Sequence, residues 1–88
     1  MSTQGLKLVY FAWVRERIGK PEETVELPAT ITNVADLLEW LKARGEEYAY
    51  AFEKAPFIRT AIDRKHVRHD APLAGAREVA FFPPMTGG

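Results

Sequence analysis

Residues 78–88 read EVAFFPPMTGG, a β-prone run that passes through two prolines into a bare diglycine. Strand alternation predicts Val79 and Phe81 on one face and Ala80 and Phe82 on the other. Pro83 has no N–H to donate, so the ladder stops there, and Pro83–Pro84 favours a stiff, extended path. Gly87 and Gly88 carry no side chains and enter a slot too narrow for other residues. The stretch from Pro83 to Gly88 reaches roughly 20 Å when extended. What it delivers is an α-carboxylate, ionised above a pKa of about 3.5 and inert until activated. We therefore expect a folded domain over residues 1–82 and an extended, flexible tail over 83–88. Gly88 is then the reactive end.

Working back from that strand, residues 6–11 (LKLVYF) form the other compact β-prone run. Leu6, Leu8 and Tyr10 fall on one face, Lys7, Val9 and Phe11 on the other. Residues 12–18 (AWVRERI) predict a short helical segment with Val14 and Ile18 on its apolar edge, ended by Gly19 and Pro21. A second strand is expected over 23–27, stopped by Pro28. The clearest helix signal follows. Asn33 caps it, Asp36 stands three residues on, and Val34, Leu37, Leu38 and Leu41 form one stripe. Gly45 is expected in the left-handed conformation that ends this helix. Residues 46–54 add a shorter helix with Tyr48 and Phe52 four apart. After Pro56, residues 57–62 and a few around Val67 read as short strands joined by a turn at 63–65. This order predicts an α+β fold of the β-grasp type, a mixed sheet of four or five strands packed on one main helix. By analogy with that fold, the first and last strands lie side by side at the sheet centre.

Eighty-eight residues make one domain. The chain has no cysteine, which excludes disulfides, thiolate metal sites and a sulfur-bearing side chain at a nucleophilic position. Apolar runs fall far short of the roughly 20 residues that span a bilayer, and no signal sequence is evident. No membrane partner is expected, and a cytoplasmic location follows as the default. Formal net charge is zero, so general attraction to nucleic acid is unsupported. The charges are nonetheless uneven: Glu22, Glu23 and Glu26 lie early, while Arg59, Arg64, Lys65 and Arg68 cluster late with His66 and His69.

Catalytic side chains are scarce. The one serine, Ser2, sits in the polar lead-in, and no glycine-rich phosphate loop occurs. His66 and His69 form an H-x-x-H pattern without the surrounding carboxylates of a metal site, and read as surface histidines of a polar turn. No metal and no bound cofactor are expected. The late basic cluster reads as a solvated turn or, if it binds anything, as a match for an acidic partner. If the first and last strands are neighbours, Val9, Phe11, Ala80 and Phe82 form an apolar patch opposite the helix. The patch is either covered in part by the first short helix or a loop, or left open to a protein partner.

The ending EVAFFPPMTGG, with LVYFAWVRERIG near the start, AIDRKHV in the paired-strand region and D-x-P-L at 70–73, resembles the small subunits of molybdopterin synthase. Those are ubiquitin-like β-grasp sulfur carriers of about this length. The resemblance implies that an ubiquitin-activating-like adenylyltransferase uses ATP and magnesium to adenylate the Gly88 carboxylate. A sulfur donor then converts it to a thiocarboxylate. Pro83, Pro84, Met85, Thr86 and Gly87 would be inserted into the large synthase subunit, where sulfur passes to cyclic pyranopterin monophosphate. The acid–base residues would belong to that large subunit, in a heterotetramer with two small subunits on a large-subunit dimer. Val9, Phe11, His66, Ala80 and Phe82 map onto the partner interface. Three positions depart from the family's pattern: Asp63 stands where Asn is common, His66 where an apolar residue is, and Met85 where Val is. Carriers for thiamine or tRNA thiolation, ubiquitin-like modifiers and a non-covalent binding module are the competing readings.

Overall fold

The computed structural model describes residues 5–84. Its centre is a parallel pair, β1 (Leu6–Tyr10) beside β5 (Glu78–Phe82), with Leu8 opposite Val79 and Tyr10 opposite Phe81. The alternation read from the sequence holds on both strands: Leu6, Leu8, Tyr10, Val79 and Phe81 are buried in one core. β2 (Glu22–Val25) pairs antiparallel with β1, and β3 (Arg59–Ile62) antiparallel with β5. β4 (Lys65–Val67) closes the far edge, giving the order β2-β1-β5-β3-β4. This is the α+β, β-grasp arrangement, with five strands.

Helices cover one face of the sheet. α1 (Ala12–Ile18) buries Val14 and Ile18 and ends at Gly19, whose φ of 91° is the left-handed cap expected there. α2 (Val34–Lys42) buries Val34, Leu37, Leu38 and Leu41. The Asn33 side chain accepts the Asp36 N–H at 2.8 Å, a cap contributing about 1 kcal/mol. The reciprocal half of the box goes elsewhere, because the Asp36 carboxylate accepts from the N–H and hydroxyl of Thr32. α3 (Glu46–Ala51) contributes buried Tyr48 and Ala51. The layer is thus the main helix α2 with the two shorter helices read from the sequence. α3 packs on both α1 and α2.

Four boundaries differ from expectation, each for a local reason. β2 starts and stops early because its partner sets its limits: β1 begins at Leu6, opposite Val25, and the Tyr10 N–H reaches back to the Pro21 carbonyl at 2.8 Å. Gly45 is not left-handed; its backbone is extended, and it caps the start of α3 while Ala43 ends α2 in a right-handed conformation. α3 stops at Ala51, and residues 55–57 form a 3₁₀ turn with Pro56 in its first positions, which delays β3 to Arg59. The β3–β4 turn occurs where expected. Asp63 and Arg64 both have positive φ, at 48° and 73°, as a two-residue hairpin turn requires. Neither residue is glycine. The Asp63 carboxylate offsets that strain by accepting the Arg77 and Glu78 N–H groups at 3.1 and 3.0 Å.

One polar cluster ties the layers together. Glu23 Oε2 on β2 accepts the Tyr10 hydroxyl at 2.7 Å and the Tyr48 hydroxyl at 2.6 Å. Arg44 lies 3.2 Å from the same oxygen, and Lys20 3.5 Å from the other. Burial pushes the Glu23 carboxyl up, but the two hydroxyls and then the two cations outweigh it, leaving it below its usual range. Burial, with Glu23 beside it, drives the Tyr10 hydroxyl well above its usual range, so it remains a donor. A carboxyl depressed in the folded state adds stability above its unfolded pKa and loses it as pH falls through the folded value. We expect Glu23→Gln to cost about 1–2 kcal/mol at neutral pH, where a charge-assisted hydrogen bond is weakened. The gap from wild type is expected to narrow as pH falls below the ordinary carboxyl value of 4.5. Thermal melts of both proteins from pH 7 to pH 3 check it; a gap constant with pH contradicts the assignment.

Candidate functional site

β5 carries the chain out of the sheet at the end where β1 also finishes. There the Phe11 N–H donates to the Phe81 carbonyl at 3.1 Å, the last rung between the two strands. Phe81 is fully buried, with its ring 6.1 Å from Tyr10 and 5.3 Å from Phe52. One residue on, Phe82 faces the opposite way and is half-buried. Pro83 and Pro84 follow, also half-buried. Met85, Thr86, Gly87 and Gly88 lie outside the described residues.

The face turned away from the helices is assembled by register. Val9 stands opposite Ala80, Ala80 opposite Ala61, and Ala61 opposite His66, one row across four strands. The two alanines are small enough to make a floor. Phe82 rises beside them, between Phe11 at 6.4 Å and His66 at 5.3 Å, and meets both rings edge to face. The result is a ridge of three rings, Phe11, Phe82 and His66, with Val9 half-buried next to it. Phe11 is 47% exposed. α1 turns its apolar edge into the core and leaves this ridge uncovered. The left-handed Ala12, φ 53°, makes that turn directly after Phe11.

The five residues read as an interface thus share one face, with one correction. Ala80 is buried in the floor between its neighbours and offers little surface of its own. Ala61, beside it, went unnoticed because the row exists only once β3 is placed against β5. The histidines separate: His66 lies in the ridge, while His69 Nε2 lies 2.8 Å from the Ile58 carbonyl and fastens the loop after β4. Among the described residues no group of three His, Asp or Glu is placed to hold a metal ion. No described helix is long and apolar enough to cross a membrane.

What this geometry provides is a rigid platform, an aromatic ridge, and a chain end leaving beside it. Residues 8–88 match the ThiS family. The chain belongs to the ThiS family. Two relatives are molybdopterin synthase sulfur carrier subunits. That of Escherichia coli is 36% identical over 94% of this chain and 99% of its own length; that of Haemophilus influenzae is 31% identical with the same coverage. Among solved structures, the crystal structure of SAMP1 from Haloferax volcanii has a TM-score of 0.70, covering 96% of this chain and 99% of that one. At 22% identity that likeness shows the fold alone.

Within this ThiS-family fold, the two adjacent phenylalanines have opposite duties, and truncation separates them. Phe81→Ala is expected to cost about 3–5 kcal/mol, as for a large ring removed from a filled core. Phe82→Ala is expected to cost about 1 kcal/mol, since its ring meets two other surface rings. Denaturant titration of both variants decides; equal losses would mean that Phe82 also serves the core.

Proposed function

We propose that this chain is the sulfur carrier subunit of a molybdopterin synthase, with the sulfur held at Gly88 as a thiocarboxylate. The observation that carries the reading is the near-full-length match to carriers of that name in a chain with no cysteine of its own. A protein without thiols holds transferable sulfur only on a group such as an acyl carbon. The terminal carboxylate is the one suited to nucleophilic exchange once activated.

The chemistry is two substitutions at one carbon. A carboxylate oxygen of Gly88 attacks the α-phosphorus of ATP, magnesium-bound in an activating enzyme, and pyrophosphate leaves. A sulfur nucleophile then adds to the acyl carbon of the adenylate, and AMP departs with the bonding pair. The thiocarboxylate is the sulfur donor to cyclic pyranopterin monophosphate in the large subunit. That subunit supplies the acid–base groups. In this chain the outer ridge of Phe11, Phe82 and His66 docks both partners in turn, and residues 83–87 span the distance to their active sites.

The test is intact mass. Incubated with activating enzyme, ATP, magnesium and a sulfur source, the chain is expected to gain about 16 Da as oxygen is exchanged for sulfur. Deletion of Gly88 is expected to abolish both the gain and dithiolene formation while the melting temperature stays unchanged. A deletion variant that still supports synthesis overturns the reading. In a separate titration against the large subunit, Phe82→Asp is expected to weaken binding about tenfold or more, the range for a central aromatic anchor. Unchanged affinity would remove the ridge from the interface.

A further inference from the structure

The charges at the two edges of the sheet are used differently. β2 and its flank present Glu22, Glu23 and Glu26; β3, the hairpin turn and β4 present Arg59, Arg64, Lys65 and Arg68, all four exposed. On the β2 side Glu22 pairs with Lys7, and Glu23 with Lys20 and Arg44, so those charges are met within the molecule. The ion pairs among the described residues use Lys7, Arg17, Lys20, Lys42 and Arg44, and none of the four cations on the β3–β4 side. Asp63, next to Arg64, is occupied by backbone N–H groups, and Asp70, two residues from Arg68, forms no ion pair among the described residues.

Those cations border a groove. It encloses about 360 Å³, with Arg59 and Arg68 along it and Pro56, Phe57, Val67 and Pro84 as its apolar lining. Phe57 is 63% exposed, held out by the 3₁₀ turn, in a protein that otherwise hides most of its large apolar side chains. Cations with no ion-pair partner among the described residues, beside an exposed ring, suit an anion that also carries apolar groups. Pro84 lines the groove, so its occupant sits at the root of the tail, on the side of β5 opposite Phe11.

We propose that this groove docks an acidic segment of a partner protein, with carboxylates on Arg59 and Arg68 and an apolar side chain against Phe57 and Val67. Nucleic acid fits less well, because zero net charge leaves little of the long-range field that a polyanion would feel. The groove is lined by residues between Pro56 and Pro84, so docking there is independent of sulfur chemistry at Gly88.

The experiment uses the ¹⁵N-labelled full chain, with and without Gly88, titrated with the peptide acetyl-Glu-Leu-Glu-Glu-Leu-Glu-amide. Saturable amide shifts are expected at Phe57, Arg59, Val67 and Arg68 in both forms. The affinity is expected to fall about fivefold between 50 and 300 mM salt, as surface charges are screened. Arg59→Glu/Arg68→Glu, at exposed positions, is expected to keep its melting temperature and to weaken binding about tenfold, the loss of roughly 1.4 kcal/mol. Arg68→Gln serves as the milder variant, with a loss of about threefold. A peptide with lysine in place of glutamate is expected to give no shifts. Shifts centred elsewhere, charge-reversed binding equal to wild type, no saturable response, or tighter binding of a six-residue oligothymidylate would each overturn the proposal.

Discussion

Parallel pairing of β1 with β5 is the constraint from which the rest of this structure follows. Parallel neighbours cannot be joined by a tight turn, so everything between them has to cross over and return. The helices are that crossover, and they cover the one face that the alternation of Leu6, Leu8, Tyr10, Val79 and Phe81 makes apolar. The same pairing places the end of β1 and the end of β5 at one place. Phe11 and Phe82, far apart in sequence, therefore become neighbours, and the chain leaves the sheet beside them. An antiparallel pairing would have put Phe11 at the opposite end from the tail.

A centre of this kind leaves β2 exposed as an edge strand of four residues, held to the helices by few apolar contacts. Glu23 compensates. A carboxylate at that position is costly to desolvate, and it is retained because two hydroxyls and two cations converge on it. An apolar residue there would pack on Tyr10 and Tyr48 but leave both hydroxyls without an acceptor. The network therefore fixes the angle of α3 and the register of β2 together. The stacking of Arg17 between Trp13 and Tyr50 does the same for α1 against α3.

What the sequence made legible depended on how local the physics was. The facing of residues 78–82 follows from a period of two, and the stripe of α2 from a period near 3.6, so both were readable from spacing alone. The left-handed end at Gly19 was legible for the same reason. Gly45 was misread because a glycine after a helix is ambiguous between ending it and opening the next, and Glu46 begins α3 at once. The end of β2 was misplaced because it is set by where β1 starts, a fact about another segment. The role of Glu23 offered no signal: the two hydroxyls it accepts from are 13 and 25 residues away. The groove beside Phe57 was hidden likewise, since it joins residues 56–59, 67–69 and 84, and only the topology brings them together.

On the proposed function, a folded sheet that carries its reactive carboxylate at Gly88 has a physical rationale. A carboxylate that must visit more than one active site gains nothing from catalytic neighbours of its own, and such neighbours would hydrolyse the activated acyl group early. What it gains from is anchorage close to its root. A surface that docks within a few residues of Pro83 raises the effective concentration of the tail at the partner's site to about millimolar, whatever the bulk concentration of carrier. That gain falls as the tether lengthens, which favours a short tail and a docking face at the same end of the sheet. The ridge of Phe11, Phe82 and His66 crosses the outer sheet face at that exit, and the basic groove opens on its β3–β4 side. Two contacts at the exit fix the direction of departure as well as its distance. A single patch, however tightly it bound, would leave the carrier free to rotate and the reactive end free to miss.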